Sequence, residues 1–344
     1  MLLRFGIFSP LKFKKMKKIG ILLMLFAMVV SCKSQTKNTK EITTLLIDST
    51  MVRKHLYTLA SDKMEGRKAG TIGIERAAQY IENEFKRLGL STYDTLSSYR
   101  QTLTFKNRRT QEDITSSNII GVLEGTSKKD EIVIISAHYD HLGIRAKKGV
   151  LDSIYNGAND DASGVAGVLA LAAYFKKAGN ERTIVFAAFT AEEMGLIGSN
   201  YFGKQVDPNS IIAGINIEMI GKESPFGPKT AWLTGFDRSD FGQIIQKNLE
   251  ESDYSLYPDP YVNFRLFFRS DNASLARLGV PAHTFSTSPM DKDLDYHKVS
   301  DETKTLDLFT VSETIKAIAI GTLSIVNGND TPSRIVMKKD EPFK

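Results

Sequence analysis

The chain has 344 residues, with 45 Lys and Arg against 40 Asp and Glu, 42% hydrophobic residues and one Cys. This composition excludes wholesale disorder, an internal disulfide framework and a multi-cysteine metal cluster. The formal net charge of +5 comes from Arg4, Lys12, Lys14, Lys15, Lys17 and Lys18, with no acidic residue among residues 1–31. The remainder is near neutral, which excludes the basic footprint that a nucleic-acid partner needs.

In chain order, the basic run KFKKMKKIG precedes an apolar stretch from Ile19 to Val30. It is shorter than the ~20 residues of a membrane-spanning helix and reads as an export signal. Val29-Val30-Ser31-Cys32 resembles the cleavage and lipidation box of bacterial lipoproteins. The resemblance implies a signal peptide over residues 1–31, a lipidated Cys32 with a tether over 32–40, and a lipid membrane as partner. Lys33 and Ser34, in place of an Asp after Cys32, point to the outer membrane, facing periplasm or cell surface. An ordinary secretory signal or an uncleaved anchor is the alternative, and Met16 is an alternative start.

Residues 41–327 read as one domain, and 328–344 as a peripheral tail. Glu41 to Leu90 is helical in pattern, broken near Gly66–Gly70, with Ala77, Ile81, Phe85 and Leu88 on one face and Gly89 as a stop. Arg100–Phe105 reads as a strand and Lys106–Ser117 as an exposed polar loop. Asn118–Leu123, Glu131–Ser136, Thr183–Phe189 and Ile211–Ile217 are continuous apolar runs suited to strands covered on both faces. Gly164–Tyr174 suits a tightly packed helix. A helix near Asp240–Glu250, a strand at Ala282–Ser286 and a helix from Thr303 to Ile325 complete the series. The alternation predicts a mostly parallel sheet flanked by helices.

Acidic and imidazole groups recur where the predicted strands end: His138, Asp140 and His141 in SAHYDHLG, Asp160 and Asp161 in NGANDDASG, Glu192 and Glu193 in FTAEEMG, Glu218 in INIEMIG, and His297 in DYHKVSDE. Taken singly, the Asp pair also reads as a helix cap, the Glu pair as solvent-facing, and each His as a hydrogen-bonded residue. Their recurrence at strand ends, where α/β sheets place their crevices, points to a cation held by imidazole and carboxylate, a donor set that suits zinc.

The ordered set of motifs, from HLYTLASDKMEGRKAGTIG at His55 to YHKVSDE at Tyr296, resembles the zinc-dependent aminopeptidases related to bacterial leucyl aminopeptidases, with glutaminyl cyclases as relatives. The resemblance implies a three-layer α/β/α zinc-hydrolase fold with a mixed, mostly parallel central sheet, two Zn²⁺ ions, and peptides with a free N-terminus as substrates. Carried over, His138 and Glu218 hold one ion, Glu193 and His297 hold the other, and Asp160 bridges them. Glu192 is then the general base, Asp140 orients His138, and Tyr296 is placed to stabilise the oxyanion. Two positions depart from the pattern: Glu218 stands where the family usually has Asp, and Asn272 where many relatives have His. Glutaminyl cyclase-like or carboxypeptidase-like activity on the same fold, and a noncatalytic metal-binding lipoprotein, are the alternatives.

Overall fold

The computed structural model describes residues 47–145 and 152–335. The N-terminal signal, Cys32 and the tether lie outside the described residues.

Helix α1 (Ser49–Leu59) starts at Asp48, whose carboxylate accepts the Met51 N–H at 2.8 Å, and buries Val52, Leu56 and Leu59. A 3₁₀ segment, Asp62–Arg67, turns through three consecutive positive-φ residues, Glu65, Gly66 and Arg67. Gly66 is required there, because a Cβ would come within 2.5 Å of the Tyr155 carbonyl oxygen. Helix α2 (Ile72–Leu88) buries Ile74, Ala77, Ile81 and Phe85 and stops at Gly89 in the left-handed region.

Next come β1 (Ser91–Thr92), β2 (Arg100–Lys106) and β3 (Asp113–Leu123). Strands β2 and β3 pair antiparallel over their whole facing length. The sequence reading of Lys106–Ser117 as a loop is therefore corrected: only the turn at 107–112 is irregular. Residues 113–117 are polar because they ladder through hydroxyls, Thr102 to Ser117 and Thr104 to Thr115 at 3.0 Å each, on an exposed face.

Strand β4 (Lys128–His138) is central, and β5 (Gly143–Ile144) pairs β6 (Ile154–Tyr155) in a small separate ribbon. They are followed by α3 (Ser163–Ala178), β7 (Arg182–Phe189), α4 (Ile197–Gly203), β8 (Ile211–Ile217), β9 (Thr230–Leu233), α5 (Phe241–Leu249), β10 (Ser255–Pro258), α6 (Asn272–Ala276), β11 (Ala282–Ser286) and α7 (Leu308–Val326). The short strands β9 and β10 carry no alternation long enough to be read from sequence.

One nine-stranded sheet runs in the order β1-β3-β7-β4-β8-β11-β9-β10, with β2 also on β3. The central run β7-β4-β8-β11 is parallel, whereas β3 joins β7, and β9 joins β11, antiparallel. The sheet is therefore mixed, with a parallel centre.

Alternation along the strands separates two cores. Val133, Ile135, Ile184, Phe186 and Ala188 face the layer containing α1, α2, α3, α5 and α7. Ile134, Val185, Ala187 and Phe189 face α4 and α6. Helices on both faces complete the three layers. Helix α7 is long and apolar enough to cross a membrane, but 67% of that span is buried within the protein. Past α7, buried Arg182 donates to the Asp330 carbonyl and the Thr331 hydroxyl, and Ile335 packs into the second core.

Candidate metal centre

The carboxyl ends of the central parallel strands open on one side of the sheet. His138 is the last residue of β4, Glu192 and Glu193 follow β7, and Glu218 follows β8. Asp160 lies in the turn before α3, and His297 in the long segment after β11. The topology thus gathers residues spread over much of the chain. Ala191, Met219 and His297 hold positive φ angles of 54–56°, uncommon for non-glycine residues. They are a member of the cluster and the immediate neighbours of two others.

Each oxygen of Asp160 faces a different imidazole. Oδ1 lies 3.2 Å from His138 Nε2, and Oδ2 lies 3.1 Å from His297 Nε2. Glu193 Oε1 is 3.1 Å from His297 Nε2 and 2.9 Å from His141 Nδ1, which is itself 3.8 Å from Asp160 Oδ2. The donor atoms of His141, Asp160 and Glu193 all lie within 4.8 Å of one another. His141 was not among the ligands carried over by resemblance; the structure adds it. Its signal was present in HYDH, but the strand ends at His138, so alternation no longer tells which way the following side chains point.

Several of these atoms are buried without a hydrogen-bond partner: His138 Nε2, both ring nitrogens of His141, Glu193 Oε1 and Glu218 Oε2. Buried polar atoms are rarely left unpaired. Nitrogen and carboxylate donors about 3–4 Å apart, lacking partners among themselves, are what a zinc ion at ~2.0–2.2 Å from each would satisfy. The residues present fit the metal. His138 Nδ1 donates to the Asp140 carbonyl oxygen at 3.1 Å, which leaves Nε2 free as a ligand.

The surrounding groups set these positions. Asp140 meets His138 through its main chain; its carboxylate lies 3.9 Å from Nδ1 and instead accepts the backbone N–H groups of Glu192 at 3.0 Å and Glu193 at 3.3 Å. It therefore shapes the loop that presents both glutamates. Asp301 accepts the backbone N–H groups of Asn159 and Asp160. Asp161 accepts Gly164 N–H at 2.9 Å and Met219 N–H at 3.1 Å through Oδ1, joining α3 to the Glu218 loop. Arg67, fully buried, donates to the carbonyls of Leu59, Tyr139, Asn156 and Gly157 at 2.6–2.9 Å. It ties the loop carrying His138 and His141 to the turn carrying Asp160. Only three-dimensional proximity shows this role, since Tyr139, Asn156 and Gly157 are remote from Arg67 in sequence.

Burial and mutual proximity shift the proton affinities of these groups. Burial pushes the carboxyl of Glu192 well above its usual range, with Glu218, Asp271 and Glu193 adding to the shift and His138 opposing it. Burial likewise raises Asp140 and Glu218 to about 7 each, against the pull of His138. Burial works against charge on His297, yet Asp160 and Glu193 raise it to about 10. Asp160 is held well below the carboxylate range despite burial, because His138, His141 and His297 surround it.

Beside the centre lies an open cleft lined in part by Glu218, Trp232, Leu266, Arg269, Met290 and Tyr296. Tyr296 stacks on His297 with ring centroids 4.0 Å apart. Asn272 does not reach the centre: its amide donates to the Phe267 carbonyl, and its oxygen accepts from Thr284.

Residues 118–320 match the family model described as Peptidase family M28. A probable zinc metalloprotease of Phaeosphaeria nodorum is 35% identical over 177 residues, which cover 48% of this chain and 35% of that protein. The chain thus spans about a third of the length of this curated relative. Among solved structures, an aminopeptidase from Aneurinibacillus sp. strain AM-1 superposes with a TM-score of 0.63 at 18% identity, covering 88% of this chain and 98% of that one. A glutaminyl cyclase from Porphyromonas gingivalis gives a TM-score of 0.63 at 16% identity, covering 80% and 98%.

Proposed function

The chain belongs to peptidase family M28, and from that premise we propose that it is a zinc-dependent aminopeptidase that removes the first residue of peptides with a free N-terminus. The convergence of unpartnered imidazole and carboxylate atoms on Asp160, beside an open cleft, carries this reading. Two zinc ions are proposed, because the two oxygens of Asp160 face separate histidines. His138 and Glu218 would hold one ion, and Glu193, His297 and the added donor His141 the other. Zinc, when bound, supplies Lewis-acid stabilisation of negative charge developing on the substrate carbonyl.

The residues of the chain supply the rest. Glu192 is half-buried next to the donor cluster with its backbone fixed by Asp140. Its raised proton affinity suits a base that takes a proton from the attacking water and returns it to the departing amine. Glu193 cannot share this work, because its oxygen points at His141 and His297. Tyr296 keeps its phenolic proton, since burial and the nearby carboxylates push its pKa up, and it is positioned to donate to the carbonyl oxygen. The acidic surroundings of the centre favour a substrate ammonium group, which would account for cleavage next to the N-terminus.

The N-terminal pattern supports a further part of the proposal: the protein is exported and held at a membrane through Cys32, with a soluble catalytic body.

The test is mass spectrometry of products from the zinc-loaded protein with free and N-acetylated peptides, some beginning with Gln. Products one residue shorter, only from free N-termini, are expected. Loss of ammonia from intact Gln peptides would instead establish cyclase chemistry, and shortening from the C-terminus would establish a carboxypeptidase.

A further inference from the structure

The cleft beside the metal donors contains one charged group that neither the fold nor the proposed reaction uses. Arg269 follows the short turn Leu266–Phe268 and lines the cleft together with Glu218 and Tyr296. Among the described residues, no carboxylate lies within ion-pair distance of its guanidinium, and its side chain makes no hydrogen bond. Arg269 is exposed to solvent. Among arginines that turn inward, Arg67 is committed to four carbonyls, Arg100 to Glu75 and Glu82, and Arg182 to Glu131, whereas Arg277 keeps a buried Nε without a partner but does not line the cleft.

The remaining polar groups of the lining are committed too. The Ser270 hydroxyl accepts from Asn216 at 2.7 Å, and Thr284 donates to Asn272 at 2.9 Å. Ser286 donates to the Met219 carbonyl at 3.0 Å, and the Thr234 hydroxyl accepts the Thr284 N–H at 3.0 Å. Trp232 donates its indole N–H to the Ser288 carbonyl at 3.2 Å. Glu218 is among the proposed metal ligands, and Tyr296 is assigned to the carbonyl oxygen. What the cleft offers an incoming side chain is therefore apolar wall from Trp232, Leu266 and Met290, and one uncommitted cationic fork. A planar guanidinium with free N–H groups matches a carboxylate in geometry as well as charge.

We propose that Arg269 is a specificity-determining residue that selects peptides whose first residue carries a side-chain carboxylate, Glu or Asp. This rests on the aminopeptidase reading above.

The experiment compares kcat/KM of the zinc-loaded protein for the p-nitroanilides of Glu, Gln, Leu and Lys, which contain no other carboxylate. Glu and Gln are nearly isosteric, so their ratio isolates the charge. The ratio is expected to favour Glu by at least about tenfold, and Arg269→Gln should bring it to within about twofold of unity. Arg269→Glu should place Lys above Glu. A wild-type ratio at or below one, or a ratio unchanged in Arg269→Gln, overturns the proposal. If none of the four is hydrolysed, the aminopeptidase reading fails, and Arg269 is read separately by calorimetric binding of L-glutamate and L-glutamine. There, tighter glutamate binding that is lost in Arg269→Gln supports the carboxylate site, and equal affinities overturn it.

Discussion

Replacing Arg67 by Met tests whether the metal centre depends on a residue that touches none of its donor atoms. The side chain is fully buried and donates to four main-chain carbonyls, at Leu59, Tyr139, Asn156 and Gly157. Met fills much of the volume, so the cavity is small and the lost hydrogen bonds dominate. A buried acceptor left without a partner costs about 1–3 kcal/mol, so four give an upper range of about 4–12 kcal/mol. Two effects reduce this. The cost of desolvating the guanidinium, visible in the downward shift of its pKa through burial, is relieved. Water can also reach some of the freed carbonyls. The expected loss is about 4 kcal/mol, read by urea unfolding of the metal-free protein, or about 10 °C in Tm. Zinc affinity, measured by chelator competition, should fall by about tenfold or more, because the loops carrying His138, His141 and Asp160 lose their common tie. Arg67→Lys, which keeps up to three donors, should recover part of both losses. A stability loss below about 1 kcal/mol with unchanged zinc affinity would refute the reasoning.

Three other outcomes are expected. Glu192→Gln should retain the zinc stoichiometry of the wild type, by elemental analysis, while kcat falls by about 10²–10⁴-fold; loss of metal would make Glu192 a ligand instead. His141→Ala should weaken the binding of one of two titrating zinc ions and leave the other in place, and an unchanged zinc titration would remove His141 from the donor set. The third concerns acid. His283 is held neutral in the core between Thr234 and Ser239, with burial lowering its pKa from 6.5 to about 4. The unfolded chain therefore binds the proton more tightly, and stability present above pH 6.5 is lost as the pH falls towards 4, by about 2 kcal/mol at pH 5. Urea midpoints of His283→Gln between pH 7 and 5 should show a shallower acid slope than the wild type; parallel slopes would falsify this account.

Much of this protein is legible along the chain. The run Ile211–Ile217 is a strand with the bounds the apolar pattern predicts, because a strand buried on both faces is largely apolar, and Ala282–Ser286 is a strand with the bounds read from sequence although it buries the polar residues His283, Thr284 and Ser286. Gly89 stops its helix as read, since the left-handed backbone there costs glycine little. Polar clusters placed just after such runs already locate the centre, because consecutive parallel strands all deliver their carboxyl ends to the same edge of the sheet.

Other features depend on groups that meet only when the chain is folded. The strand at residues 113–117 is polar, and its pairing with Arg100–Lys106 is a tertiary fact. Past the end of a strand the period of two lapses, so HYDH cannot by itself say that His138 and His141 both turn towards Asp160 while Asp140 turns to the backbone of Glu192 and Glu193. Arg67 and Arg269 look alike as exposed basic residues in sequence. One is buried among four carbonyls and the other lines a cleft with no partner, and that difference is set by which loops surround each guanidinium. Residue type and order therefore determine the chemistry available to this chain, whereas the direction of each side chain, and the company it keeps, is decided by the packing of segments far apart in sequence.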